Sequence, residues 1–322
     1  MKKFIKLHCP ILVVVVMIFV CLIIMSCDEG QQSVRIVEAT ESVVTFRIGR
    51  FECRVIKDGG TTIDALNFFS GVEPEKISAA CEEFHWNPAA VPLSVLVLVV
   101  NTGEDLILID TGLGEPVYTD EGKFIESLSE QRIDPDDVDV VIITHGHWDH
   151  IGGIADEEGQ LHFPNARHVM SRTAWEFWTA EENLSQMPER LAEWAQENLP
   201  SLKGRVELVD EALEILPGIS MIAASGHTPG QMAVLVQSDN QKLLCLADAA
   251  HNPLQMAYPD IGYSDDRDPE KARSTRWALV KKSISDKSLV FGCHFPFPGL
   301  GYVKEINEKP AWQGLSISSK TN

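Results

Sequence analysis

His145-Gly146-His147-Trp148-Asp149-His150 places three imidazoles and one carboxylate within six residues, directly after the largely apolar run 138–143. That run has the length and the β-branched content of a buried strand. The hexapeptide therefore falls in the loop at a strand's C-terminal end, where sites in α/β sheets are usually built. Polar side chains packed this densely are costly to bury alone, and a divalent metal ion is their natural partner. A polar turn that happens to be rich in His is the ordinary alternative. With 10 His in 322 residues, chance gives His-x-His-x-Asp-His in well under ~1% of such chains, so the hexapeptide is read as a ligand set.

Four single residues elsewhere stand in the same kind of place. Asp110 ends the run 106–109 and opens Asp110-Thr111-Gly112, and His227 follows 221–225 within Gly226-His227-Thr228-Pro229-Gly230. Asp248 follows 243–247, and His294 follows 289–293. One polar residue at one strand end is a satisfied cap. The same placement after four separate runs points to convergence on one site.

The remaining chain supplies the elements for such a site. Alternating apolar residues over 42–56 predict an opening hairpin, and 95–100 with 106–110 predict two strands around the tight-turn composition of 101–105. Helical periodicity is weak over 122–132 and clearer over 187–198, with Leu191, Ala192, Trp194 and Ala195 on one side. Short strands are expected at 167–170, 221–224, 232–237, 242–246 and 289–292. Asp268-Pro269-Glu270 is a helix start, with an N-cap and a first-turn Pro, for a helix reaching about residue 284. Strands and helices alternate without a dinucleotide-type glycine fingerprint, which predicts a layered α/β fold.

At these residues the chain resembles the metallo-β-lactamase superfamily, over about 42–303. The resemblance implies a four-layer αββα sandwich with metals at one edge. It assigns His145, His147 and His227 to one ion, and Asp149, His150 and His294 to a second, with Asp248 bridging the two. Asp110 matches the Asp-Thr-Gly position, whose carboxylate orients a ligand His. Imidazole and carboxylate donors suit Zn²⁺, with Mn²⁺, Fe²⁺ and Co²⁺ also compatible. A pair of such ions, with a bridging hydroxide as nucleophile, implies hydrolysis of an ester-like bond. On that expectation Asp149, Asp248 and Asp110 carry or support the chemistry.

Superfamily members with a Cys at the bridging position are the zinc-Cys β-lactamases, and Asp248 sets this chain apart from them. The segments 226–230 and His294-Phe295-Pro296-Phe297-Pro298-Gly299 are most similar to methyl parathion hydrolase and its lactonase-like relatives. That similarity implies a small-molecule substrate, a lactone or carboxyl ester first and a phosphotriester second. A mononuclear iron persulfide dioxygenase shares the fold and the His cluster, and a binding protein with a dead site would have no reason to retain every ligand. Around the site, Trp148, Phe295, Phe297, Trp175 and Trp178 are either pocket wall or core. His251 is either a substrate contact or a structural histidine, Tyr258 and Tyr263 are oxyanion donors or packed rings, and His85-Trp86 is a candidate rim.

The first 26 residues read as a targeting segment. Lys2, Lys3 and Lys6 precede an uninterrupted apolar stretch over 11–25, which ends in Ile24-Met25-Ser26-Cys27. This resembles a bacterial lipobox, in which cleavage leaves Cys27 as a lipidated N-terminus. The polar stretch 27–41 then reads as a tether, and 42–322 as the hydrolase domain. An exported protein lipid-anchored to a bacterial membrane, on its periplasmic or extracellular face, is the expectation. The formal charge of −20 argues against nucleic acid and anionic headgroups as partners, so membrane attachment would rest on the lipid. Oligomeric state is open, a homodimer included. Cys53, Cys81, Cys245 and Cys293 are scattered without Cys-x-x-Cys spacing and are expected as isolated buried thiols, although two disulfides are conceivable in an oxidising compartment. Cys27→Ser should release the protein from membranes into the soluble fraction on cell fractionation; unchanged membrane association would mean an uncleaved anchor.

Overall fold

The strand Val140–Ile143 shows how the sequence builds layers. Val140 and Ile142 point into the apolar core shared by two sheets, whereas Val141 and Ile143 point into a second core beneath helices. The neighbouring strand Leu106–Ile109 repeats this, with Ile107 and Ile109 on the first side and Leu108 on the other. A strand covered on both faces needs an apolar residue at every position, so these strands appear in the sequence as continuous runs.

The computed structural model describes residues 34–114, 122–210, 212–315 and 317. The predicted leader, Cys27 and the first part of the tether lie outside them. Eight strands form one sheet in the order Arg35–Ala39, Val43–Ile48, Phe51–Ile63, Val91–Asn101, Leu106–Ile109, Val140–Ile143, Arg167–Ser171 and Val206–Val209. It is antiparallel as far as Leu106–Ile109 and parallel beyond. Seven strands form a second large sheet: Leu213–Leu216, Ile219–Ala223, Met232–Ser238, Gln241–Cys245, Leu289–Phe291, Leu300–Ile306 and Lys309–Gly314. Its one parallel pair is Gln241–Cys245 beside Leu289–Phe291. The helix Pro269–Asp286 makes that crossover, started by Asp268, whose carboxylate accepts from Lys271 N at 3.0 Å.

Residues of both sheets, among them Phe46, Val55, Leu98, Met221, Val234 and Phe291, share the central core. Phe124, Leu128, Ala174, Trp178 and Ala195 cover the outer face of the first sheet from their helices, and Leu279 and Val280 cover the second from Pro269–Asp286. The four layers are thus α, β, β, α, as the resemblance implies. All four cysteines within the domain are buried and free. Among the described residues no helix is long and apolar enough to cross a membrane.

The expected tether is only partly one. Arg35–Ala39 pairs antiparallel with Val43–Ile48 and starts the first sheet, so the domain begins near residue 34 rather than 42. It is an edge strand in which only Ile36 and Ala39 lean on the core, and its exposed polar positions give it the composition of a linker. The hairpin Leu300–Ile306 with Lys309–Gly314 and the helix Pro74–Glu83 are also absent from the sequence-based expectations, because their burial is too partial to leave a clean period. Phe46 is fully buried between the sheets, so Phe46→Ala should cost about 3–5 kcal/mol in urea unfolding. Val37→Ala, at a position 49% exposed, should stay within about 0.5 kcal/mol.

Candidate metal centre

Parallel pairing collects the site. Leu106–Ile109 and Val140–Ile143 run side by side in the same direction, so Asp110 and the segment from Thr144 onward leave the first sheet at one edge. Gln241–Cys245 and Leu289–Phe291 do the same for Asp248 and His294 in the second sheet. Backbone hydrogen bonds stitch the two sheets there. Met232 N donates to Thr144 O at 3.1 Å, Leu96 N to Cys293 O at 2.9 Å and Ser94 N to His294 O at 3.1 Å.

The seven residues singled out in the sequence come together as two overlapping groups. In the first, His147 Nδ1 is 2.9 Å from both His145 Nε2 and His227 Nε2. Asp248 Oδ2 lies 3.6 Å from His145 Nε2 and 3.3 Å from His227 Nε2. In the second, His150 Nε2 and His294 Nε2 are 3.4 Å apart, and each is 3.1 Å from Asp248 Oδ1. Asp149 Oδ2 approaches this pair at 3.8 and 3.4 Å. Asp248 therefore offers one oxygen to each group.

Four of the five imidazoles, all but His147, are aimed by a partner on the far side. His150 Nδ1 donates to Asp110 Oδ2 at 2.7 Å. The Thr144 hydroxyl donates to the same carboxylate oxygen at 2.8 Å, so its oxygen is left to accept from His145 Nδ1 at 3.1 Å. His227 Nδ1 donates to Asp266 Oδ1 at 3.1 Å, and His294 Nδ1 to the Ser94 carbonyl at 2.9 Å. These bonds set the tautomers and turn the Nε2 lone pairs of all four inward. Asp266 is steadied in turn by buried Arg276 at 3.4 Å. Asp266, Thr144 and the Ser94 carbonyl escape a sequence reading, because nothing local marks them and only the fold brings them behind the histidines.

The backbone is strained where it positions these groups. Asp110 sits at φ 63° and Ala247, just before Asp248, at φ 46°, a left-handed region that costs a non-glycine residue about 1–2 kcal/mol. Gly146 is required for a different reason: a Cβ there would lie 2.5 Å from the Trp178 ring. Trp178 thus packs under the loop, 1% exposed, with its ring edge-on to His147 at 4.9 Å.

Charge and burial act together. Burial, reinforced by neighbouring imidazoles, holds His145 and His147 well below the ordinary histidine value, in the neutral form that donates a lone pair. Burial opposes charge at His150 too, yet Asp248, Asp110 and Asp149 outweigh it and hold that ring well above the ordinary value. Burial would raise Asp248, but His150, His294 and His145 hold it well below the usual carboxylate range. The carboxylates demand positive charge at this spot, and the inward lone pairs can bind it. Chemistry, burial and convergence all fit a pair of divalent cations, with His145, His147, His227 and Asp248 as one donor set and Asp149, His150, His294 and Asp248 as the other.

Other candidates separate clearly. His251 is in the site, with Nε2 3.2 Å from Asp248 Oδ2 and its ring against Tyr263 at 4.4 Å; burial lowers it to about 4 despite Asp248. Tyr263 also lies 5.5 Å from the His227 ring. Tyr258 turns away to bond Glu83. Trp148 stacks on Trp194 at 4.9 Å, Phe295 is buried edge-on to Trp312, and Trp86 packs against Phe84.

Comparison with known proteins agrees with this geometry. The family model of the metallo-beta-lactamase superfamily matches residues 90–294. The chain is 25% identical over 224 residues to the N-acyl homoserine lactonase AiiA of Bacillus thuringiensis subsp. kurstaki, covering 63% of this chain and 81% of that protein. The structure of AidC, a dizinc quorum-quenching lactonase in complex with a product, N-hexanoyl-L-homoserine, is similar at TM-score 0.77 and 26% identity. The match covers 86% of this chain and 99% of that one. The hydrolase AbOPH, of the beta lactamase superfamily, shares the fold at TM-score 0.79 and 22% identity, over 88% of this chain and 100% of its own. Asp266→Asn should leave the fold intact and weaken metal affinity by about 10–100-fold, read by equilibrium competition with a chelator.

Proposed function

Since the chain belongs to the metallo-beta-lactamase superfamily, we propose that it is a hydrolase with two divalent ions, Zn²⁺ foremost, acting on a lactone or carboxyl ester. The observation that carries this reading is Asp248, whose two oxygens face two separate nitrogen-rich groups. A single ion would leave one of those groups without purpose, which counts against a mononuclear iron dioxygenase. The names of AiiA and AidC, both lactonases, support an ester-like bond over other substrates.

Two such ions, when bound, supply a nucleophile at neutral pH and polarise the oxygen of the scissile bond. The chain's own groups do the rest. Burial, reinforced by neighbouring imidazoles, holds His145 and His147 in the neutral donor form. At His227 burial is outweighed by Asp248 and Asp266, which hold that ring above the ordinary histidine value. Asp110 and Asp266 hold their histidines in the donating tautomer. Asp149 is the more exposed carboxylate, 13% against 3% for Asp248, so it meets the solvent side and is placed to pass a proton to the departing alcohol. The Tyr263 ring, packed between His227 and His251, forms an apolar side to the site.

A phosphotriester is the second reading, because the same charge arrangement serves a phosphoryl oxygen. Export and lipid attachment through Cys27 complete the proposal, placing the enzyme outside the cytoplasm among diffusible esters. The deciding measurement is kcat/KM for an acyl lactone and an aryl phosphotriester with the Zn²⁺- or Mn²⁺-loaded protein under identical conditions. The lactone should be preferred, and chelation should abolish turnover until the ion is returned. Preference for the phosphotriester would withdraw the lactone assignment, and turnover that survives complete metal removal would withdraw the metal-dependent mechanism.

A further inference from the structure

Cys293 lies between the strand Leu289–Phe291 and His294, and from sequence it is one of four isolated thiols. In the fold it is not isolated. Its Sγ is 3.5 Å from Asp248 Oδ1, the same oxygen that faces His150 and His294. Donor atoms of His150, Asp248, Cys293 and His294 all lie within 4.8 Å of one another, and all four residues are buried. Cys245 is also buried, but among the described residues it belongs to no such donor group. The thiol is thus a buried member of the second group, whereas Asp149 is its more exposed one.

We propose that Cys293 Sγ is a ligand of the ion held by His150, His294, Asp248 and Asp149, which makes this half of the centre a mixed nitrogen, oxygen and sulfur site. The proposal rests on the two-ion reading above. On binding, the S–H bond breaks, its proton leaves to water, and a sulfur–metal bond forms with no change of oxidation state. The two halves of the centre then differ in chemistry. The His145, His147 and His227 half keeps only imidazole and carboxylate donors, whereas a thiolate in the other half favours Zn²⁺ and Co²⁺ over Mn²⁺. Sulfur also donates more charge to its ion than oxygen does, so that ion polarises substrate less and the first carries more of that task. A thiol that merely donates its hydrogen to Asp248 would leave both halves with nitrogen and oxygen donors only.

Cobalt separates these arrangements without reference to turnover. The full chain in detergent is loaded with Co²⁺, its cobalt content measured by elemental analysis, and its near-ultraviolet spectrum recorded for a thiolate-to-cobalt charge-transfer band. The expected result is two Co²⁺ per chain with the band present, the band lost in Cys293→Ser and retained in Cys245→Ser. Two Co²⁺ without the band, or a band that survives in Cys293→Ser, overturns the thiol ligand and leaves the two-ion centre standing. One Co²⁺ with a band that Cys293→Ser removes does the reverse. No bound Co²⁺ overturns both.

Discussion

A carboxylate can stay buried only where positive charge or hydrogen-bond donors surround it. Asp248 is 3% exposed and faces the ring nitrogens of His145, His150, His227, His251 and His294 at 3.1–3.6 Å. Five imidazoles from two sheets meet around that one group, and burial, which holds His145 and His251 below the ordinary histidine value, limits the positive charge they can offer it. Asp110 and Asp149 add to the deficit from either side of His150. Bound cations would resolve it, and the rest of the structure serves to hold these side chains in place against their mutual repulsion.

That service has a local cost. Asp110 and Ala247 are held in left-handed backbone, and the Gly146 loop closes over Trp178 with no room for a methyl group. Such strain persists only where surrounding structure over-determines it. Here the over-determination comes from the core between the sheets, buried on both sides, and from the hydrogen bonds that tie Ser94, Leu96 and Met232 across the site edge. A mutation that loosens the core would therefore reach the candidate metal centre without touching any residue that lines it.

The partners behind the ligands matter as much as the ligands. Asp110, Thr144, Asp266 and the Ser94 carbonyl each fix one imidazole, and Arg276 holds Asp266 from below. This outer layer draws on both sheets, so the site cannot be moved as a short loop cassette. It exists only where the two sheets meet.

The sequence by itself determined the parts that depend on neighbours along the chain. His145 to His150 are legible because their donors come from one short segment, and the apolar runs before Asp110, Asp248 and His294 are legible because strands buried on both faces must be apolar throughout. The start of the helix at Asp268-Pro269 is equally local. Tertiary structure decided what depends on residues far apart. Arg35–Ala39 became a strand by pairing with an edge rather than by its own pattern. Asp266 found His227 across 39 residues, Trp148 turned outward to Trp194, and Cys293 joined a cluster of candidate donors that no spacing in the chain announces. The physical reason is the same in each case: periodicity records which face is buried, whereas side-chain partnership is settled by where separate strands end.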